Sequence, residues 1–163
     1  MNAYVGNAVS GQKPDNLGDH ADGSAQEGYS VDSRSGVATA TGLSDTNRAY
    51  ASWCHWGPLI ASVSVIFTEG ITFIIPPLVA LAMWQIKNND SQFIDDQGKE
   101  ALNFQISLIL LALILIPVTI LTCGVGAVLY IGLPVLAIVG GIMGGIASAK
   151  GRYFRYPMCI RLI

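Results

Sequence analysis

Residues 101–149 read ALNFQISLILLALILIPVTILTCGVGAVLYIGLPVLAIVGGIMGGIASA, a stretch without one charged side chain. A helical crossing of a bilayer takes about 20 apolar residues, so this stretch is long enough for two. A helix of a soluble core keeps a polar stripe at the 3.6-residue period. Between Ile106 and Thr122, apolar residues instead fall on every face. Cys123-Gly124-Val125-Gly126 reads as a tight turn, so the spans are Ala101–Thr122 and Ala127–Ala149. Pro117 predicts a bend in the first of these.

Two further spans are expected upstream, at Ala49–Thr68 and Gly70–Ile86. The first is moderately apolar, with Trp53 and Trp56 where interfacial aromatics belong. Pro58 kinks it or fixes its start. The second is interrupted by Pro76-Pro77 and is short for a crossing, so the pair reads either as two spans or as a re-entrant hairpin. Lys87–Glu100 is the one charged loop between spans. Its Asp95, Asp96 and Glu100 suit a helix N-terminus, where the macrodipole is positive.

The 163 residues are 52% hydrophobic with net charge −2, and these figures average two unlike parts. Residues 1–48 hold six of the eleven acidic side chains and few large apolar ones. Such a segment buries too little to offset its chain entropy. The expected organisation is a disordered tail over 1–44 and an all-α, four-helix membrane domain over 45–163. Met1–Ser10 lacks a basic stretch followed by an apolar one, so no signal peptide is expected and insertion uses the first spans.

Basic residues set the orientation. Arg48 precedes the first span, Lys87 and Lys99 lie in the central loop, and Lys150, Arg152, Arg155 and Arg161 follow the last. Neither the Glu69 turn nor the Gly124 turn carries one. Both termini and the central loop are therefore expected in the cytoplasm.

No group of residues combines a nucleophile, a base and an orienting partner, so an enzyme is not expected. Cys54, Cys123 and Cys159 are odd in number and scattered, which suggests neither disulfides nor a metal site. No cofactor and no nucleic acid are expected. The aromatic and basic run Arg152-Tyr153-Phe154-Arg155-Tyr156-Pro157 suits a membrane boundary and anionic lipid.

Two patterns qualify as candidate contact sites. Gly140, Gly141, Gly144 and Gly145 form overlapping small-residue rows with Ser148 and Ala149, which let another helix approach closely. That helix belongs either to a partner or second copy, or to this chain. The second pattern is Gly98, Lys99, Glu100, Asn103, Gln105 and Ser107. On a helix Asp96, Glu100, Asn103 and Ser107 fall within about 60° of one another. This polar stripe enters an apolar span, marking either function or a helix start at the interface. Topology puts Arg155 and Arg161 at the same membrane face, so Glu100 is expected to pair with one of them, clamping the third helix to the end of the fourth.

Residues 45–163 also carry Cys54-His55, Ser91-Gln92-Phe93-Ile94-Asp95, the run from Gly98 to Ser107, Tyr153-Phe154-Arg155-Tyr156-Pro157 and Ile160-Arg161. In these motifs the chain resembles a bacterial membrane family of unknown function related to the 20 kDa component of Tic, the translocon at the inner envelope of chloroplasts. Gln97 stands where that pattern carries His. The resemblance implies four helical spans in a bacterial inner membrane and, by analogy with the chloroplast relatives, a channel or transport component such as one for polypeptides. The residues themselves favour a non-enzymatic subunit or scaffold packed among lipids with other membrane proteins or with itself.

Overall fold

The computed structural model describes residues 27–68, 73–157 and 159–163, apart from the Ile66 side chain. The tail expected over 1–26, the Glu69-Gly70 break and the start of the second expected span lie outside the described residues. Where the reading continues the tail to residue 44, the structure corrects it. Two short strands, β1 (Gly28–Val31) and β2 (Ala38–Thr41), pair antiparallel with Tyr29 opposite Ala40. Asp32 closes the turn by accepting the amides of Arg34 at 2.7 Å and Ser35 at 2.9 Å, and Gly36 takes φ +69°. The hairpin is possible because β2 has a second neighbour. The Ala40 amide donates to the Gly151 carbonyl at 2.8 Å, and that of Tyr153 to Ala38 at 3.0 Å. Leu43 then joins Ala51, Phe93 and Ile94 in a small core. A chain of small polar residues is thus ordered by an edge some 110 residues away, which local composition does not reveal.

Four helices follow. Helix α1 (Asp45–Phe67) is capped by Ser44, whose hydroxyl accepts the Asn47 amide at 3.1 Å. Helix α2 (Ile75–Lys87) carries Pro76 and Pro77 in its first turn, where their absent amides have no helical partner to lose. The prolines therefore start this helix and do not kink a longer one. Its 13 residues reach about 20 Å, short of a hydrocarbon layer about 30 Å thick. Helix α3 (Gln92–Leu121) begins well before the apolar stretch, at Ser91, whose hydroxyl accepts the Ile94 amide. Cys123 and Gly124 turn the chain at φ +51° and +93°. A 3-10 segment (Val125–Ile131) then leads into α4 (Gly132–Ala149), so the last span starts in tighter winding than a uniform helix. Gly126 makes this corner: a Cβ there would stand 2.9 Å from the Thr119 Cα.

Two helical segments are long and apolar enough to cross a membrane, Gln92–Leu121 and Val125–Ala149, with mean hydropathies of 2.6 and 2.3. Only 17% of the most apolar window of each is buried. A soluble core would cover such surface, whereas here Leu113, Ile120, Leu121, Val128, Val139 and Met143 stand exposed. The described chain is mostly helical, and two of the four expected spans, α3 and the segment ending in α4, meet the length and apolarity of a crossing.

One end of the bundle gathers the start of α1, the end of α2, the start of α3 and the end of α4. Tyr50 donates to the Met83 carbonyl at 2.8 Å, the Trp84 indole to Asp95 at 2.8 Å, and Ser52 to the Gly145 carbonyl at 2.8 Å. Residues 152–157 and 159–163 fold back onto this end.

Candidate functional site: a buried polar junction

The junction is built on the first four turns of α3, where the polar stripe of the sequence faces inward. Glu100 is only 2% exposed. Its carboxylate accepts the Tyr156 amide at 2.8 Å and the Arg161 guanidinium through Nε and Nη2, both at 3.2 Å. Arg155 Nη1 stands 3.6 Å from the same carboxylate. Glu100 is thus paired with both arginines. Arg155 divides its guanidinium, because it also grips Asp96 in a two-pronged contact, Nη1 donating at 2.8 Å and Nη2 donating to the other oxygen. A planar fork facing a carboxylate is the arrangement for which arginine is suited.

One turn along, Asn103 reads the backbone of the same segment. Its Oδ1 accepts the amides of Leu162 at 3.0 Å and Ile163 at 3.2 Å, and its Nδ2 donates to the Ile163 carbonyl. Ser107 donates to the Asn103 carbonyl at 2.8 Å and accepts the Ile160 amide at 2.8 Å. The stripe therefore supplies hydrogen bonds to an irregular strand whose amides have no ladder partner of their own. Gln105 is buried but takes no part in these contacts among the described residues.

On the inner side lies Gln97, fully buried. Its amide nitrogen donates to Asp96 at 2.8 Å, which fixes its oxygen as the acceptor. That oxygen receives Ser148 at 3.1 Å, the Phe154 amide at 3.3 Å and His55 Nε2 at 3.3 Å. With Nε2 protonated, His55 Nδ1 accepts the Tyr156 hydroxyl at 2.9 Å. One side-chain oxygen thus ties α1, α4 and the C-terminal segment to α3. Burial, then the nearby Glu100 carboxylate, pushes the Tyr156 hydroxyl up, which keeps it a neutral donor.

The glycine rows serve this junction from α4. A Cβ on Gly140 would stand 2.7 Å from the Phe104 ring, and one on Gly144 2.7 Å from both His55 Nδ1 and the Tyr156 hydroxyl. Gly141 meets Leu59 and Gly145 meets the Trp56 indole in the same way. Tyr156 stacks on Phe104 at 3.9 Å between centroids. All four glycines lie against side chains of this same chain. Gly98 plays the equivalent part between α3 and α2, where a Cβ would stand 2.8 Å from Trp84. Lys99 stays outside the junction, bound to Asp95 at 2.8 Å and lying 5.8 Å from the Trp84 ring centroid.

Gln97, Asp96, His55, Ser148 and Tyr156 are the junction residues that the candidate set lacks. Asp96 lies on the polar stripe, and His55, Tyr156 and Gln97 stand in or beside the quoted motifs. Nothing in spacing alone brings the four elements to one oxygen. Among the described residues, no group of three or more His, Cys, Asp or Glu side chains could hold a metal ion.

Residues 46–163 match the model of the MamF/MmsF family, described as the magnetosome magnetite crystal formation protein family. No curated protein and no solved structure matches the chain. The match overturns the resemblance to the family related to Tic, which has no support beside it. It covers both long apolar segments, the polar junction and the residues that close it, so the chain belongs to the magnetosome magnetite crystal formation protein family, a family of magnetosome membrane proteins.

Proposed function

We propose that this chain is a non-enzymatic scaffold of the magnetosome membrane that contributes to magnetite crystal formation by packing with other membrane proteins. The observation that carries the reading is the closed state of its polar interior. Glu100, Asn103, Ser107 and Gln97 spend their hydrogen bonds on Phe154, Tyr156, Ile160, Arg161, Leu162 and Ile163 and on neighbouring helices. These groups hold the protein in one shape and leave its apolar faces outward. Family membership supplies the setting.

The same occupancy argues against the transport alternative. A polar pathway needs accessible polar groups, and the stripe along α3 is filled by the chain's own C-terminal segment. The orientation follows the basic residues: Arg48, Lys87, Lys99, Lys150, Arg152, Arg155 and Arg161 all stand at or near the junction end, which is therefore cytoplasmic with both termini. The turn at Cys123-Gly124 reaches the opposite side. Helices α1 and α2 pack inside this multi-pass arrangement, the short α2 as the returning arm of a hairpin.

The test is deletion in cells that form magnetosomes, with rescue by wild type or by the paired change Glu100→Gln and Asn103→Leu. Crystal size and number are read by electron microscopy. Deletion should alter the crystals while membrane compartments persist, and the variant should fail to rescue. Unchanged crystals on deletion would contradict the proposal.

A further inference from the structure

At the junction end, a pocket of about 500 Å³ opens between the start of α1 and the end of α4. Asp45, Arg48, Ser52, Trp53, Trp56 and Ala149 line it. We propose that this pocket binds the headgroup of an anionic phospholipid, with the acyl chains running down the adjoining α1–α4 groove. The inference rests on the membrane placement of the helices but not on any role in crystal formation.

Charge gives the first reason. Among the described residues the Arg48 side chain gives one hydrogen bond, to Asp45 at 3.1 Å, and Asp45 is largely exposed. An exposed pair of this kind is weak and yields readily to a better acceptor. The Arg48 Nε lies enclosed without an acceptor among the described residues, against the position a Gly151 Cβ would take, 3.4 Å away. Lys150 and Arg152, both exposed, flank Gly151 in the chain, and Lys150 follows Ala149 of the pocket wall.

The second reason is the apolar continuation. Ser52 and the Trp56 indole are already satisfied, the indole donating to Ser52 at 3.1 Å and Ser52 to Gly145. Trp53 is 53% exposed, and its N–H has no partner among the described residues. An indole with an apolar body and an available donor suits the glycerol and ester level of a lipid. At the helical period, exposed Ile60 falls on the face of α1 that carries Trp53 and Trp56, and exposed Ile142 and Ile146 on the face of α4 that carries Ala149. A soluble phosphate would use the cations and ignore this wall. A phospholipid uses both.

The test uses the full chain in phosphatidylcholine vesicles that carry equal mole fractions of either brominated phosphatidylglycerol or brominated phosphatidylcholine. Bromine quenches tryptophan on contact, and two of the three tryptophans lie in the pocket. The anionic lipid should be enriched, by about fivefold for each basic residue engaged, and should quench more strongly. Arg48→Gln should remove most of that preference, and Arg48→Lys should keep much of it. If Arg48→Gln does not accumulate, the wild-type preference must still fall as salt rises. Equal quenching by both lipids, or a preference intact in Arg48→Gln, would overturn the site. Loss of the preference on adding soluble glycerol phosphate would put the binding in the headgroup alone and overturn the groove. No quenching by either lipid would refute the membrane placement as well.

Discussion

At the scale of single residues, Glu100 decides how firmly the junction closes. Its carboxylate faces two arginines and a backbone amide while almost wholly excluded from solvent. A buried charge is tolerated only when its partners remain, and losing one costs about 3–5 kcal/mol. Glu100→Gln should therefore lower the midpoint of thermal unfolding in detergent markedly. Arg155→Gln should do so comparably, since Arg155 also serves Asp96. Arg161 is half exposed, so Arg161→Gln should cost less. Combining Glu100→Gln with Arg155→Gln should cost less than the two added together. Additive losses would show that the pair is not coupled. The pairing was legible in the sequence, because long arginines follow the last helix at the face where Glu100 enters the third. The role of Gln97 was not: its oxygen collects donors from three elements, one of them the Phe154 amide, whose position depends on the path of an irregular strand.

Elements show the same division. The glycines of α4 were visible as a packing face, since small residues four apart have few other uses in a span. What they pack against was not visible, because the neighbour could have been another chain. His55, Trp56, Leu59 and Tyr156 fill that place. Gly144→Leu should accordingly displace His55 and Tyr156 and break their hydrogen bond. Overpacking of this kind costs about 1–3 kcal/mol. Reduced accumulation and an earlier unfolding transition in detergent would be expected, and a normal transition would place the row on a lipid-facing surface. Prolines misled in α2: Pro76-Pro77 can interrupt a helix or begin one, and residue order alone does not choose. The β1–β2 hairpin escaped for another reason. Its strands are four residues each and gain their order from Gly151–Tyr153. Local propensity has little to say about so distant an edge.

For the whole molecule, the uncharged run from Ala101 to Ala149 made the membrane domain legible. Its two helices expose apolar surface that only lipid or a partner covers. The number of crossings was less accessible, since α1 and α2 have marginal length or apolarity and depend on α4 and α3 for their packing. The family was misread: the motifs that suggested the family related to Tic all lie within the residues matched by the magnetosome family. The central claim is that the polar junction and the Cys123 turn lie on opposite faces of a membrane. Two native cysteines test it without any substitution. Cys123 is exposed at the turn, and Cys159 is partly buried in the segment that closes the junction. Burial pushes the Cys159 thiol up, so it reacts more slowly and needs longer exposure. Sealed vesicles of known orientation would be treated with a membrane-impermeant maleimide and the modified peptides identified by mass. The account predicts that Cys159 is modified from the cytoplasmic side and Cys123 only from the other. Modification of both from the same side of a sealed vesicle would contradict it.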